Sequence, residues 1–263
     1  MAGPYPQLVL FGDSLLQRSV DLQDGFSMQA ALQSRFIRRL DVMNRGFSGW
    51  TTANAVKFLS DIFPKPTPTS PRIKYLVVLL GANDASLPTT PQHVPIDQYK
   101  ENLTKIVTHP NIQAHEPKIL LVTPPPLDEI KLTKVDMENG HASATRSSAV
   151  SASYSEKVRE VARENPNVRL VDLWKAIMDK AISMAPNDYI QDGPWLGSPE
   201  NGKQGGLDIL LPDGLHMSGE AYRVFYDELK GLIGEEWANL ADDDRSGYVF
   251  PDWRVLNPLK NEW

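Results

Sequence analysis

Near the start of the chain the sequence reads Leu8-Val9-Leu10-Phe11-Gly12-Asp13-Ser14. Four apolar residues end abruptly at a glycine, which is typical of a buried strand followed by a tight turn. In a sheet that is covered by helices, ligands and reactive groups lie just beyond the carboxyl ends of the strands. The sequence therefore places the hydroxyl of Ser14 at such a strand end.

Four more apolar runs follow, and helical patterns separate them. The strongest run, residues 75–80, is apolar on both faces, as in a central strand of a parallel sheet. The other predicted strands are residues 41–44, 118–123 and 168–171. Apolar residues at spacings of three and four predict helices at residues 26–40, 52–63, 96–107, 147–164, 173–184 and 218–233. This alternation predicts one three-layer α/β/α domain, residues 1–263, around a five-stranded, doubly wound parallel sheet.

Three segments show no clear period. Residues 128–146 are polar, and we expect a loop or lid there; residues 187–211 are irregular and rich in Gly and Asp. The C-terminal tail, residues 238–263, contains aromatic residues that predict docking on the body of the protein or on a second subunit, and therefore a possible homodimer: Tyr248, Phe250 and Trp253.

Composition excludes several classes of function. The chain has 263 residues, 41% of them hydrophobic, with a net charge of −6 and a pI near 5.4. An acidic protein of this kind is not expected to bind nucleic acid or an anionic membrane. It contains no cysteine, which excludes disulfides and thiolate chemistry. No apolar stretch approaches the roughly 18 residues of a membrane span, and the first residues lack the pattern of a signal peptide, so we expect a cytoplasmic protein.

The chain offers the groups that acyl transfer needs. Asp213 precedes His216 by three residues, close enough to orient its imidazole. A serine hydroxyl is a weak nucleophile until a neutral imidazole takes its proton, and a carboxylate fixes the tautomer of that imidazole. The other four histidines have no second ligand at metal-binding spacing, so we expect no metal. Three loops should meet at the carboxyl edge of the sheet and supply the hydroxyl, a glycine N–H and an asparagine amide: Gly12-Asp13-Ser14, Gly46-Phe47-Ser48-Gly49 and Gly81-Ala82-Asn83-Asp84.

These motifs resemble the four blocks of the GDSL, or SGNH, hydrolase family, in the same order. Four stretches also resemble the isoamyl acetate-hydrolysing esterase branch of that family: Arg45-Gly46-Phe47, Leu80-Gly81-Ala82-Asn83-Asp84-Ala85, Asp213-Gly214-Leu215-His216 and Asp252-Trp253-Arg254. The resemblance runs from the first strand to the last helix. It implies a flavodoxin-like sheet and no cofactor.

The resemblance also implies roles for individual residues. Ser14 would be the nucleophile, His216 the base and then the acid, and Asp213 the orienting carboxylate. The N–H groups of Ser14 and Gly49 and the side-chain amide of Asn83 would form the oxyanion hole.

The neighbours of these residues have two interpretations. Leu15, Trp50 and Met217 flank reactive positions and could wall a substrate pocket, or they could be ordinary packing residues. We expect the carboxylates of Asp13 and Asp84 to brace their loops and not to act as bases.

The sequence thus predicts a serine carboxylic-ester hydrolase that acts through an acyl-enzyme on esters with a short acyl group. The family resemblance implies acetate-type esters. Three other substrates suit the same site: an acetylated sugar, a lysophospholipid or an acyl thioester. A different alternative is a flavodoxin-like module that binds a small ligand without catalysis.

Overall fold

The computed structural model describes residues 4–241 and 244–257. Five strands form one sheet in the order β2-β1-β3-β4-β5, and each neighbouring pair is parallel. This is the flavodoxin-like order, and it confirms the predicted fold class. The strands are β1 (Gln7–Gly12), β2 (Asp41–Gly46), β3 (Ile73–Leu79), β4 (Lys118–Val122) and β5 (Val168–Val171).

Helices cover both faces of the sheet, and short 3₁₀ turns at Arg18–Val20, Pro186–Asp188 and Glu235–Trp237 join some of them. The α-helices of the described residues are α1 (Ser14–Gln17), α2 (Met28–Arg35), α3 (Thr52–Ile62), α4 (Ile96–Val107), α5 (Pro110–Gln113), α6 (Glu129–Glu138), α7 (Ser148–Glu164), α8 (Leu173–Met184), α9 (Leu207–Leu210), α10 (Gly219–Lys230) and α11 (Trp253–Leu256).

The apolar residues of the central strands divide between two cores, one on each face of the sheet. Leu8 and Leu10 join a core with α2, α8 and α10, whereas Val9 and Phe11 join a core with α3, α4 and α7. Successive side chains of a strand point to opposite faces, so an uninterrupted apolar run is buried on both. This is why the strand sequences lack an alternating pattern.

The predicted helix at residues 26–40 is shorter in the structure. It ends at Arg35, and Arg38 has a φ of 65°, a left-handed conformation that no helix continues through. Phe36 and Leu40 are nevertheless buried, so the apolar spacing was correctly read as core although the backbone there turns.

The prediction that residues 128–146 form an irregular loop was wrong in its first half, which forms α6. The Asp128 side chain accepts a hydrogen bond from the N–H of Lys131 at 3.0 Å and so caps this helix. Of its apolar residues only Leu132 is buried, so the sequence carries little helical periodicity. Within residues 187–211 a single turn of helix, α9, also forms.

The described part of the C-terminal tail contacts the body of the protein through two arginines. The guanidinium carbons of Arg38 and Arg39 lie 4.4 Å and 4.9 Å from the ring centroid of Tyr248. Arg38 also donates to the carbonyl oxygens of Phe250 and Pro251 at 3.2 Å and 2.9 Å. The rest of the predicted tail, residues 242–243 and 258–263, lies outside the described residues.

None of the helices in the described ranges has the length and apolar character needed to cross a membrane.

The carboxyl end of β1 is packed tightly between its neighbours. A methyl group built on Gly12 would lie 2.1 Å from the carbonyl oxygen of Leu79 and 2.9 Å from a methyl carbon of Leu16. Only a residue without a side chain fits there, and the backbone then leads directly to Ser14.

We therefore predict that Gly12→Ala lowers the free energy of unfolding by about 3 kcal/mol, because the added methyl collides with backbone that cannot move without disturbing the sheet. Gly231→Ala is the matched control, since a methyl group at Gly231 meets no atom within 4 Å. Urea unfolding of both variants measures the effect. Equal stabilities of the two variants would contradict this account of the turn.

Candidate active site

The hydroxyl of Ser14, the imidazole of His216 and the carboxylate of Asp213 form one hydrogen-bonded chain. Oγ of Ser14 lies 3.0 Å from Nε2 of His216, and Nδ1 of His216 lies 2.7 Å from Oδ2 of Asp213. Ser14 is 7% exposed, whereas the side chains of His216 and Asp213 are 20% and 38% exposed. The structure thus brings together two residues that are 202 positions apart in the sequence.

The loop that carries His216 is held from both sides. Oδ1 of Asp213 accepts from the N–H groups of Leu215 and His216 at 3.0 Å and 2.7 Å, so the same carboxylate shapes the loop and orients the ring. On the far side Ser218 caps α10. The hydroxyl of Tyr222 in this helix donates to the carbonyl oxygen of Leu15 at 2.7 Å, which ties the histidine-bearing segment to the serine turn.

Asp213 is ionised in this arrangement. Partial burial acts to raise the pKa of its carboxyl, but the hydrogen bonds from the ring and the N–H of His216 outweigh it and hold the pKa well below its ordinary value. An ionised carboxylate can only accept, so Nδ1 of His216 carries the proton. In the neutral form of the imidazole, Nε2 then has a lone pair that faces the hydroxyl of Ser14.

The loops after β2 and β3 lie beside the serine. Phe47 and Trp50 close a turn, with the N–H of Trp50 3.0 Å from the carbonyl oxygen of Phe47, and Gly49 takes a φ of 79° inside it. Nδ2 of Asn83 donates to the carbonyl oxygen of Trp50 at 2.9 Å and joins the two loops. Among the described residues, no acceptor lies against the N–H of Ser14 or of Gly49.

The carboxylate of Asp84 braces the β3 loop, as the sequence predicted. It accepts from the N–H of Thr52 at 2.9 Å and from the hydroxyl of Thr52, while Asn102 donates to that hydroxyl at 3.1 Å. Burial raises the pKa of Asp84 to about 6, against the opposing hydrogen bonds from Thr52. These contacts fix the start of α3 to the loop that carries Asn83.

Asp13 also braces its own turn, since Oδ1 accepts from the N–H of Leu15 at 2.9 Å and caps α1. Its other oxygen, Oδ2, is buried and has no hydrogen-bond partner among the described residues. Burial raises the pKa of Asp13 to about 7, and the negative charge of Asp84 adds to this, whereas the hydrogen bond from Leu15 and the charge of Arg146 act to lower it.

Two of the three predicted pocket residues are packing residues in the structure. Leu15 is 0% exposed and Met217 is 1% exposed, and both belong to the core that α2, α8 and α10 cover. Each follows a polar reactive residue at a tight turn, where the next side chain points back into the protein. Trp50 is half-buried and stacks on Phe47 with ring centroids 4.2 Å apart, so it alone of the three reaches the surface.

Sequence reasoning missed one residue beside the site, Arg146. Its Nη2 donates to Oδ1 of Asn83 at 3.1 Å and its Nε donates to the carbonyl oxygen of Ala82 at 2.9 Å. Arg146 follows a polar segment without periodicity and lies 63 positions from Asn83, so no local signal marks it.

Within the described ranges no cluster of three or more histidine, aspartate or glutamate side chains could hold a metal ion.

A hydroxyl bonded to a carboxylate-oriented imidazole, at a strand end of a parallel sheet, is the arrangement of hydrolases that transfer acyl groups through serine. Comparison with known proteins agrees with this class. The family model described as GDSL-like Lipase/Acylhydrolase family matches residues 10–224. The chain belongs to this family, as the sequence motifs predicted, and it is a carboxylic ester hydrolase.

Individual relatives cover nearly the whole chain. It is 34% identical to an isoamyl acetate-hydrolyzing esterase 1 homolog of Mus musculus, over 98% of this chain and 91% of the relative. It is 28% identical to the isoamyl acetate-hydrolyzing esterase of Saccharomyces cerevisiae, over 98% of both chains. Among solved structures, an acetyl xylan esterase superposes with a TM-score of 0.61 at 19% identity, over 86% of this chain and 99% of that chain, which shows a shared fold.

The buried carboxyl of Asp13 predicts a dependence of stability on pH. Its native pKa is about 7 and its ordinary value is 3.8, so between these values only the unfolded chain loses the proton. The native state then binds more protons than the unfolded state, and the free energy of unfolding falls as the pH rises through this window. Above about pH 7 this contribution levels off.

Asp13→Asn removes the titration, because an amide stays neutral and still offers an oxygen to the N–H of Leu15. We expect wild type to lose on the order of 4 kcal/mol of stability relative to this variant between pH 4 and pH 8, at about 1.4 kcal/mol for each unit of pKa. Urea unfolding across that range measures the difference between the two proteins. If the free energies of unfolding of the two proteins changed with pH in parallel, Asp13 would not be the titrating group.

Proposed function

We propose that this chain hydrolyses short-acyl esters, acetate-type esters above all, with Ser14 as nucleophile, His216 as base and Asp213 as orienting carboxylate. The observation that carries the proposal is the continuous hydrogen-bonded chain from Oγ of Ser14, over 3.0 Å to His216, and over 2.7 Å to Asp213. The low pKa of Asp213 keeps its carboxylate ionised beside Nδ1 of His216, which supports the role of Nε2 as the base.

In the first half of the reaction Oγ of Ser14 attacks the ester carbonyl carbon while its proton moves to Nε2 of His216. The ionised carboxylate of Asp213 stabilises the imidazolium that forms. The C–O bond to the alcohol then breaks, and His216 returns the proton to the departing oxygen. An acyl group is left on Ser14.

The oxyanion that forms in this step needs donors that are already in place. The N–H groups of Ser14 and Gly49 have no acceptor among the described residues, and Nδ2 of Asn83 uses one of its two hydrogens on Trp50. These three donors lie on neighbouring loops, and in our proposal they bind the oxyanion together. In the second half water attacks the acyl carbon while His216 takes its proton. The C–O bond to Ser14 then breaks, His216 returns the proton to Oγ of Ser14, and the acid leaves.

The preference for acetate-type esters rests on two kinds of support. The relatives from mouse and yeast carry names that refer to isoamyl acetate hydrolysis. On either side of Gly49 in the sequence, the half-exposed rings of Trp50 and Phe47 stack on each other, and in our proposal they contact the alkyl part of a neutral ester. With Leu15 and Met217 fully buried, neither forms an acyl channel in this structure.

Other expectations from the sequence stay predictions. They are a cytoplasmic location, a homodimer that involves the aromatic tail, and the absence of nucleic-acid binding. The acidic composition supports the last of these, with a net charge of −6.

Replacing Ser14 with alanine tests the nucleophile. We expect Ser14→Ala to lower kcat for p-nitrophenyl acetate by about 10³-fold or more, because the imidazole then has no hydroxyl to activate. Ser153→Ala, on the exposed surface of α7, is the matched control and should keep wild-type turnover. A fluorophosphonate probe should label wild type but not Ser14→Ala. Full activity of Ser14→Ala would exclude this mechanism, and an unlabelled, inactive wild type would favour a binding module.

A series of p-nitrophenyl esters tests the acyl preference. We expect kcat/KM not to rise from acetate to octanoate, because added methylenes that find no apolar wall gain none of the roughly 0.8 kcal/mol that burial of each would provide. Acetylated xylose oligomers, a lysophospholipid and acetyl-CoA are run beside them. Faster turnover of the octanoate ester, or of one of those three, would reassign the substrate.

A further inference from the structure

Arg146 is a buried cation beside the loop that carries Asn83. Arg146 is only 8% exposed, and burial lowers the pKa of its guanidinium, whereas the negative charges of Asp136, Asp13 and Asp213 act to raise it. An arginine nevertheless stays protonated in proteins. Among the described residues, no carboxylate lies within ion-pair distance of its guanidinium. A buried charge is costly unless it is paired, so its position calls for a reason other than stability.

Within the part of the chain that the structure describes, Arg146 donates its hydrogen bonds to neutral oxygens. Nε and Nη2 donate to two consecutive residues, at the carbonyl oxygen of Ala82 and at Oδ1 of Asn83. Nη1 donates to the hydroxyl of Thr145 at 3.2 Å. The planar guanidinium therefore forms hydrogen bonds with the loop after β3 at two consecutive residues.

The hydrogen bonds from Arg146 and to Trp50 determine the orientation of the Asn83 side-chain amide. Oδ1 faces the donors of Arg146, and Nδ2 faces the carbonyl oxygen of Trp50. A flipped amide would place its N–H₂ against the guanidinium and its oxygen against a carbonyl oxygen, and both contacts would repel. The second hydrogen of Nδ2 is consequently free and held in one orientation.

We propose that Arg146 is a positioning residue that locks the side-chain amide of Asn83 as an oxyanion donor and strengthens that donor with its charge. The inference rests on the proposed function, in which Asn83 binds the oxyanion. A positive charge on the oxygen side of the amide polarises it, so the free N–H becomes a better donor. This benefit grows as negative charge develops on the substrate oxygen, and it therefore acts on kcat more than on KM.

The segment that carries Arg146 is itself anchored. Oδ2 of Asp136, in α6, accepts from the N–H and the hydroxyl of Thr145 at 2.7 Å and 2.8 Å. The N–H of Leu87 donates to the carbonyl oxygen of Thr145 at 2.7 Å. Residues 139–146, which the sequence predicted as part of a loop or lid, thus act as a support for the oxyanion side of the site.

A double-mutant cycle tests the coupling between Arg146 and Asn83. Steady-state kcat and KM for p-nitrophenyl acetate are measured for Arg146→Met, Asn83→Ala and the double variant. We expect Arg146→Met to lower kcat by about 10- to 100-fold with KM changed by less than about 2-fold, because the donor is misplaced and not removed. In the Asn83→Ala background the same substitution should change kcat by less than about 2-fold. Losses that multiply in the double variant, or no loss in Arg146→Met, would overturn the proposal.

Two controls separate positioning from structure. Arg159→Met removes a guanidinium that pairs with Asp172 beside the edge strand β5, and it should keep wild-type kcat. If Arg146→Met does not fold, Arg146→Ala is assayed with guanidinium ion in the buffer at concentrations well below those that denature. Added guanidinium should then raise kcat of Arg146→Ala and leave the Arg146→Ala, Asn83→Ala double variant unchanged. Equal responses of both would reject the positioning role.

The Ser14→Ala assay and the double-mutant cycle distinguish a failure of the proposed function from a failure of the proposed role of Arg146. If Ser14→Ala stays active, the proposed mechanism fails whatever the cycle gives. If Ser14→Ala is inactive and the cycle is additive, only the role of Arg146 fails.

Discussion

The carboxyl end of β1 is packed between those of β2 and β3, with Gly12 aligned with Gly46 on one side and with Leu79 on the other. Three loops must therefore leave the sheet side by side, and they carry the hydroxyl, the glycine N–H and the amide. Parallel strands make this possible, because all of their carboxyl ends lie at one edge. An antiparallel neighbour would have sent one of these groups to the opposite edge of the molecule.

The histidine reaches this edge by another route. It comes from the loop before α10, and the hydroxyl of Tyr222 in that helix bonds to the backbone directly after Ser14. The base is thus fixed to the nucleophile through backbone and helix contacts and not only through the hydrogen bond between them. Such rigid support is what a preorganised site needs, since a misplacement of about 1 Å can cost a large part of the rate.

Burial gives the carboxyl groups around the site different protonation states. Asp213 is partly exposed and accepts three hydrogen bonds, so it stays ionised beside His216. Asp13 is fully buried, and one of its oxygens has no hydrogen-bond partner in the described ranges. Its pKa of about 7 lets it carry a proton near neutrality. A second fixed negative charge next to Ser14 would oppose the oxyanion, so a neutral Asp13 and a cationic Arg146 both favour the charge that develops there.

The sequence predicted those features that depend on local pattern. The apolar runs gave the five strands and their order of appearance, and the turn residues after them gave Ser14, Gly49 and Asn83 as neighbours. The sequence does not predict α6, because Leu132 is the one buried apolar residue of that helix. It also does not predict the burial of Leu15 and Met217, because that depends on the direction in which each turn points its side chains. Arg146 was missed because its partner lies 63 residues away and only the folded chain brings the two together.

The central claim is that one oxyanion is bound by donors from three loops beside Ser14. A crystal structure of the protein after reaction with diethyl p-nitrophenyl phosphate tests this most directly, since the phosphoryl oxygen imitates the oxyanion. The account predicts phosphorus bonded to Oγ of Ser14, with the phosphoryl oxygen about 3 Å from the N–H nitrogens of Ser14 and Gly49 and from Nδ2 of Asn83. Phosphorus on another side chain, or a phosphoryl oxygen turned away from these three nitrogens, would contradict it.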